Sequence, residues 1–175
     1  MRTLALALFS FASLLYAGEP VTRTFYVTGV ECGSCVYAVQ QSVGETKGVS
    51  DVAVLQVIDS FANVTFDPQV VSEHQIAQAV REAYPLHGMP YLATLKLRLP
   101  EYAKHSAMAD AVLGRWKDWI NVKRVDQTKG EFEIHFLPLK ADEKKTGPQG
   151  WSLAEFSAAL KTGLGLAFTL ESEAL

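Results

Sequence analysis

The chain has 175 residues, of which 49% are hydrophobic and 20% charged, and its formal net charge is −3. This length and composition fit an ordinary globular protein of one domain or two small ones. The mildly acidic balance argues against a nucleic-acid partner, because nucleic-acid-binding proteins usually carry a strong basic patch. The 2 cysteines are too few for a disulfide-rich scaffold, so we expect a core formed by hydrophobic packing.

The first 17 residues have the organisation of a secretory signal peptide. Arg2 precedes a nearly unbroken apolar run over residues 4–15, and the small residues Ala17 and Gly18 follow. A basic start, a short apolar segment and a small residue at the cleavage site are typical of such leaders. The run is shorter than the about 20 apolar residues of a spanning helix, so we expect no stable membrane insertion. The sequence predicts an exported protein, periplasmic or secreted, that begins near Gly18.

The sequence of residues 18–90 predicts one unit of alternating strands and helices. Residues 24–28 are β-branched or aromatic, as in a strand, whereas Val36, Val39 and Val43 recur at helical spacing. The predicted elements are a strand over 24–28, a helix from near residue 35, strands over 49–58 and 61–66 joined by a tight turn at Asp59 and Ser60, a helix over 73–83 capped by Ser72, and a short last strand. This order is the split βαβ pattern of the α+β, ferredoxin-like fold.

Cys32 and Cys35 lie where the first strand gives way to the first helix. Residues 29–35 read Gly-Val-Glu-Cys-Gly-Ser-Cys. Thiolates are soft ligands that prefer soft metals, and the partial positive charge of a helix N-terminus favours the thiolate over the thiol. The two sulfurs can therefore hold one metal ion or bond to each other, and the residues alone leave both states open.

With this motif opening the first helix and this element order, residues 22–91 resemble the heavy-metal-associated domain family. Its members occur in copper chaperones, metal-ATPase N-terminal modules and periplasmic mercury-binding proteins. The resemblance implies that Cys32 and Cys35 bind one soft ion on an exposed loop, with Cu(I) ahead of Hg(II) and Zn(II) as a further option. It also implies that the ion passes by thiolate exchange to a metal-transporting membrane protein or another metal-binding protein. Val30 stands where the family usually has methionine, a packing residue under the loop and not a ligand, so this difference bears on loop rigidity more than on metal binding.

Several side chains near the motif have two interpretations. The turn after the second helix is expected beside the cysteine loop, and it carries Tyr84, His87 and Met89. Either His87 or Met89 supplies a third ligand or Tyr84 shields the ion, or else Tyr84 packs on the loop and the other two are ordinary connector residues. We favour the second interpretation, because a lone His or Met has no ligand geometry to support it. We expect Glu31 in solvent and His74 at the surface.

Residues 91–175 repeat the element order of residues 18–90. The predicted elements are strands over 92–99, around Val122 and Val125, over 132–136 and over 167–170, a helix through Met108, Trp116 and Trp119, a turn at Lys129 and Gly130, and a helix capped by Ser152. We interpret this as two tandem βαββαβ copies, with a single copy and a long tail as the alternative. Residues 85–99 must then supply the last strand of one copy and the first strand of the next, as two strands or as one shared strand.

The second copy lacks the paired thiols. In register, Tyr102 and His105 stand where the first copy has its cysteines, so the two-sulfur site cannot form. Glu131, Glu133 and His135 share one strand face and offer ligands for a borderline metal, but we favour a solvated face. We expect the large apolar residues Trp116, Trp119 and Trp151 in the core. The second copy is expected to pack on the first, dock a partner or pair subunits, so a homodimer stays open.

Three functions are compatible with these residues. The first is a soft-metal carrier without catalysis, with Cys32 and Cys35 as ligands. The second is a binding or docking module with a static disulfide, although a disulfide that closes so short a loop constrains little of the unfolded chain. The third is a thiol–disulfide redox protein in which Cys32 attacks and Cys35 resolves. The strand hairpin after the first helix, and Glu31 in place of an aromatic residue, argue against the third.

Overall fold

The computed structural model describes residues 18–55, 60–140, 142 and 145–170. The predicted signal peptide over residues 1–17 lies outside these ranges, as do residues 56–59, which held the end of the predicted second strand and Asp59 of the predicted turn. Within the described ranges, no helix has the length and apolar character needed to cross a bilayer.

The described residues form an α+β structure with the predicted alternation of strands and helices. The elements are β1 (Val21–Thr28), α1 (Gly33–Gly44), β2 (Val49–Leu55), β3 (Phe61–Phe66), α2 (Glu73–Glu82), β4 (Leu92–Arg98), α3 (Tyr102–Leu113) with a 3-10 turn (Gly114–Trp116), β5 (Ile120–Asp126), β6 (Glu131–Phe136), α4 (Leu153–Leu164) and β7 (Thr169–Leu170). The predicted fold class, α+β and ferredoxin-like, is confirmed. Helix α3 contains the predicted Met108 but ends at Leu113, so that Trp116 lies in the 3-10 turn and Trp119 lies beyond it, and His105 within the helix has a non-helical backbone.

Strand β4 belongs to both copies of the repeated unit. The described strands form one antiparallel sheet in the order β2-β3-β1-β4-β6-β5, with β7 also paired to β4. Residues 92–94 of β4 pair with β1, residues 94–98 pair with β6, and residues 97–98 pair with β7. The orders β4-β1-β3-β2 and β7-β4-β6-β5 are thus the same arrangement used twice. Of the two alternatives for residues 85–99, the shared strand is observed.

The buried residues of both copies form one continuous cluster. Alternate residues of the strands supply it, among them Phe25 of β1, Leu95 of β4 and Ile134 of β6, which are at most 1% exposed. Trp151 is fully buried, as expected for a large apolar side chain, whereas Trp119 is 37% exposed, so its predicted place in the core is only partly correct. The cysteine-bearing copy is therefore packed onto the second copy through a common core.

Polar side chains at the start of α2 attach this helix to the second copy. Glu73 Oε2 accepts a hydrogen bond from the backbone N–H of Leu153 at 3.1 Å, and His74 Nδ1 accepts one from the backbone N–H of Trp151 at 3.2 Å. His74 Nε2 donates to the carbonyl of Leu137 at 2.7 Å. Further side-chain to backbone bonds join Gln75 to Gln149, Gln78 to Leu139 and Arg81 to Phe136. The prediction that His74 lies at the surface is wrong, because the second copy covers it completely.

Candidate metal centre

The cysteine loop leaves the sheet at a glycine. Strand β1 ends at Thr28, and Gly29 adopts a φ of +88°, a left-handed conformation that glycine accepts without steric cost. A side chain at Gly29 would also crowd the ring of Tyr91, since a Cβ there would lie 3.3 Å from Tyr91 Cδ1. Val30 then turns inward and is only 6% exposed. The apolar position under the loop is thus filled, although valine is smaller than the methionine usual in the family.

Cys32 is the N-cap of α1. Its backbone is extended, and its Sγ accepts a hydrogen bond from the backbone N–H of Cys35 at 3.2 Å. The sulfur therefore lies at the positive end of the helix dipole, where negative charge on a thiolate is stabilised. No acidic side chain lies in the first turn of α1 to oppose that charge.

The two sulfur atoms are in direct contact and are paired as a disulfide, with the Cα atoms 5.1 Å apart. Cys35 is fully buried and Cys32 is partly buried. In the reduced state, the same loop presents two thiolates that are close enough for one ion. The geometry therefore serves either a disulfide or a two-thiolate metal site, the two states that the sequence leaves open.

His87 lies beside the two sulfurs. A ring nitrogen of His87 and both Sγ atoms all lie within 4.8 Å of one another, and the His87 side chain is exposed. The connection between α2 and β4 brings it there from 52 residues further along the chain than Cys35. The sequence alone favours an ordinary connector residue, because nothing local to His87 indicates a ligand. Proximity to the cysteines arises only from the tertiary fold.

Large, exposed apolar side chains lie within a few residues of this group along the chain. Tyr84 is 74% exposed and Met89 is 73% exposed, so the expected packing of Tyr84 on the loop buries little of its ring. Tyr37, one turn into α1, and Leu86, next to His87, are also exposed, at 67% and 41%. These four exposed residues, here called the apolar rim, are close in the chain to the cysteines or to His87 and are accessible to a partner.

The matching position in the second copy is closed. Tyr102, which stands in register with Cys32, is 3% exposed, and its ring meets that of Phe132 edge-on at 4.8 Å. Its hydroxyl donates to Asp110 at 3.1 Å and accepts from Arg124 at 3.2 Å, and Arg124 also pairs with Asp110 at 2.8 Å. A hydrogen-bonded triad thus occupies the place where the first copy holds its sulfurs.

The face of β6 does not assemble a metal site among the described residues. Glu133 lies 2.9 Å from Lys123 Nζ and 3.3 Å from His135 Nε2. The hydrogen bond from Lys123 holds the pKa of Glu133 below its usual value. The carboxylate is thus already neutralised by an ammonium group, which a metal ion would have to displace. Within the described ranges, the one group of three convergent metal-binding side chains is that of Cys32, Cys35 and His87.

The fold and the paired cysteines define a ferredoxin-like domain with a two-thiol loop. The heavy-metal-associated domain family matches residues 24–85. The copper chaperone CopZ of Bacillus subtilis (strain 168) is 42% identical over 60 residues, which cover 34% of this chain and 86% of that relative. The chain therefore belongs to the heavy-metal-associated domain family, through the copy that carries the cysteines.

Two solved structures also align with most of the chain. The water-soluble region of the P-type ATPase CopA from Bacillus subtilis is 17% identical with a TM-score of 0.40, and covers 88% of this chain and 93% of that one. The N-terminal soluble domains of the same ATPase are 18% identical with a TM-score of 0.35, and cover 88% of this chain and 95% of that one. Neither likeness is close enough to bear on function.

Proposed function

We propose that the protein is an exported carrier that holds one soft metal ion, Cu(I) ahead of Hg(II), between Cys32 and Cys35. The observation that carries the proposal is the placement of both sulfurs together at the N-terminus of α1, with Cys32 partly exposed and Cys35 buried beneath it. The ion is cargo, and carriage requires no catalytic step.

The donor set favours Cu(I) over Zn(II). Thiolates bind soft ions, with both Cu(I) and Zn(II) among them, and the curated relative is a copper chaperone. Structural zinc sites are almost always four-coordinate, whereas the convergent group of the described residues has three members. A site with two thiolates and an unfilled side suits an ion that has a low coordination number.

Release is proposed to occur by ligand exchange with a metal-transporting ATPase or another metal-binding protein. The apolar rim around the loop would let a partner approach, so that an incoming thiolate could displace one cysteine at a time. The predicted leader supports export to the periplasm or the medium. An oxidising compartment of that kind would also allow the cysteines to pair when no ion is bound.

Exchange between copies of the chain tests the carrier proposal. Unlabelled protein loaded with Cu(I) is mixed with ¹⁵N-labelled apo protein, both reduced, and amide signals of residues 29–36 are followed in the labelled copy. We expect these signals to shift faster than a chelator can remove the ion from the loaded copy alone. A labelled Cys32→Ser, Cys35→Ser acceptor should receive none. Transfer no faster than release to the chelator would contradict ligand exchange.

A second candidate function is a docking module with a static disulfide, which the observed pairing of Cys32 with Cys35 favours. Thiol counting on protein isolated from its own compartment separates the two functions. A carrier should show a fraction with two free thiols and bound metal, whereas a static disulfide should show neither. A redox role would instead require turnover of a disulfide substrate, which we expect to be absent.

A further inference from the structure

We propose that His87 is a third ligand of the cargo ion and that Tyr91 is the positioning residue that holds it beside the cysteines. This inference rests on the proposed function, since it assigns a ligand to the ion that Cys32 and Cys35 carry. It goes beyond the two-cysteine site, because nothing in the sequence motif requires an imidazole.

The distances are close to those of a single metal site. Zinc bonds to sulfur and nitrogen are about 2.3 Å and 2.0 Å, and on that scale two ligand atoms of one ion can be up to about 4.6 Å apart. The sulfurs of Cys32 and Cys35 and a ring nitrogen of His87 all lie within 4.8 Å of one another. Once the disulfide is reduced and the two sulfurs can separate, rotation of the exposed His87 side chain would bring its ring nitrogen into the set.

Convergence of these three atoms is a tertiary feature. The cysteines come from the loop between β1 and α1, whereas His87 comes from the connection between α2 and β4. Gly88, the next residue, adopts a φ of +78°, which allows the chain to turn sharply there. The His87 turn is thus shaped to fold back over the cysteine loop.

Tyr91 contacts both of these segments. It is 1% exposed, and its hydroxyl accepts a hydrogen bond from the backbone N–H of Leu86 at 3.4 Å. Its ring lies against the backbone of Gly29, where the cysteine loop begins. One rigid, buried side chain therefore links the residue before His87 to the start of the loop. This link fixes the position of the His87 turn relative to the cysteines.

An imidazole would change how the ion is held. Imidazole is a good ligand for copper, and a third donor lowers the tendency of a two-thiolate complex to lose its ion. The imidazole would also be one neutral, exchangeable ligand. An incoming thiolate could displace it before the bond between the ion and either cysteine sulfur is broken. His87 would then be the first ligand to leave during transfer.

X-ray absorption of the Cu(I)-loaded, reduced chain tests the His87 assignment. We expect two sulfur neighbours and one nitrogen neighbour in the unsubstituted protein, but only sulfur neighbours in His87→Ala. Competition with a chelator should show Cu(I) held about tenfold less tightly by His87→Ala, which is about 1.4 kcal/mol. His105→Ala is the matched control, because it removes another histidine outside the cysteine group and should change neither result.

The outcomes separate this inference from the proposed function. If one Cu(I) binds through sulfur alone and His87→Ala matches the unsubstituted chain, the third ligand is overturned while the carrier stands. If the unsubstituted chain binds no Cu(I), both fall together.

Tyr91→Phe tests the positioning role with minimal disturbance of packing, because it removes the hydroxyl and keeps the ring. We expect a weakened nitrogen signal and an affinity between those of the unsubstituted chain and His87→Ala, with an unchanged far-ultraviolet circular dichroism spectrum. A full nitrogen signal and full affinity in Tyr91→Phe would overturn the role of Tyr91. The nitrogen signal is decisive, because a merely structural residue would not alter it in a folded protein.

Discussion

At the scale of single residues, Cys32 has two tasks that can be separated. Its sulfur is a proposed metal ligand, and it also caps α1 by accepting from the Cys35 N–H. The sequence predicts both cysteines at the start of this helix, because strand and helix patterns flank them. It could not assign the cap to Cys32, since a shift of one or two residues in the helix start changes which residue is the cap.

Replacing Cys32 by serine or by alanine should separate capping from metal binding. Both changes remove the thiolate and the disulfide, but serine is a good N-cap and alanine is a poor one. We expect Cys32→Ala to have a free energy of unfolding about 1 kcal/mol lower than Cys32→Ser, as measured in urea. Both variants should fail to hold Cu(I). Equal stabilities would show that the Cys32 sulfur does not cap the helix.

His74 was misjudged from the sequence because its partners are distant in the chain. A histidine in the first turn of a helix is usually solvated, yet His74 is fully buried and bonded to the backbone of Leu137 and Trp151. These bonds require a proton on Nε2 and a lone pair on Nδ1, so the ring must be neutral. No local pattern in residues 72–76 could have shown that backbone groups from the other half of the chain bond to this ring.

Burial of His74 should make stability depend on pH. Burial lowers the pKa of His74 below 6.5, and nearby Arg81 acts in the same direction. Above pH 6.5 the ring is neutral in both states, so its contribution to stability is fully present. As the pH falls below 6.5, His74 becomes protonated in the unfolded chain but stays neutral in the folded chain. The free energy of unfolding therefore decreases until the pH reaches the lowered pKa of the folded state. The free energy of unfolding should therefore decrease between pH 7.5 and 5.5.

His74→Gln isolates this effect from other groups. Burial raises the pKa of the adjacent Glu73, whose contribution to stability decreases as the pH rises above 4.5, so it opposes the trend of His74. Other elements packed on His74 present the rings of Trp119 and Phe136, which do not titrate in this range. We expect His74→Gln to be less stable but to depend less on pH, with His105→Gln as control. The same pH slope in His74→Gln and the unsubstituted chain would refute the account.

At the scale of elements, the alternation of apolar residues predicted each strand but not its neighbours. Residues 92–99 alternate as a strand should, and that pattern shows which face meets the helices. It does not show which strands bond to each edge, because hydrogen bonds are made by backbone groups that every residue carries. The sequence therefore leaves open whether β4 serves both copies or only one, and the observed strand pairing decides for both.

The turn between β5 and β6 gives an element-scale prediction. Gly130 has a φ of +68°, and a Cβ there would collide with the carbonyl oxygen of Leu99, just after β4. The Leu99 N–H also donates to the carbonyl of Gly130 at 2.8 Å. Gly130→Ala should thus lower the free energy of unfolding by roughly 1–3 kcal/mol.

Gly114→Ala is the matched control for that change. Gly114 has a φ of −63°, and a Cβ there would meet nothing within 4 Å. Its stability in urea should equal or slightly exceed that of the unsubstituted chain, because alanine restricts the unfolded state. If the two alanine variants were equally stable, the turn could not be as tightly packed as the structure indicates.

At the scale of the whole molecule, the two copies share a strand, a core and the bonds of α2. The sequence predicts the repeat through its matching element order. It places a domain boundary at residue 90, and the division of the chain into residues 18–90 and 91–175 stays a prediction. The contacts between the copies depend on side chains of α2 that meet backbone far along the chain, which composition and periodicity do not encode.

Although the chain contains two copies of the unit, we expect it to unfold in one transition. All 3 tryptophans lie in the second copy, so their fluorescence reports on that copy, whereas amide signals near Cys35 report on the first. Because β4 and the common core join the copies, we expect both probes to give the same midpoint in urea. Two separated midpoints would mean that each copy unfolds independently despite the shared strand.

The most direct test of the central claim is an anaerobic Cu(I) titration of the reduced chain from Gly18 against a competing chelator. The Cys32→Ser, Cys35→Ser variant and Hg(II) are measured in parallel, with His105→Ala as a control that keeps both thiols. The account predicts one tightly held equivalent of Cu(I) that is lost in the double variant and retained in the control. Binding no tighter in the unsubstituted chain than in the double variant would contradict it.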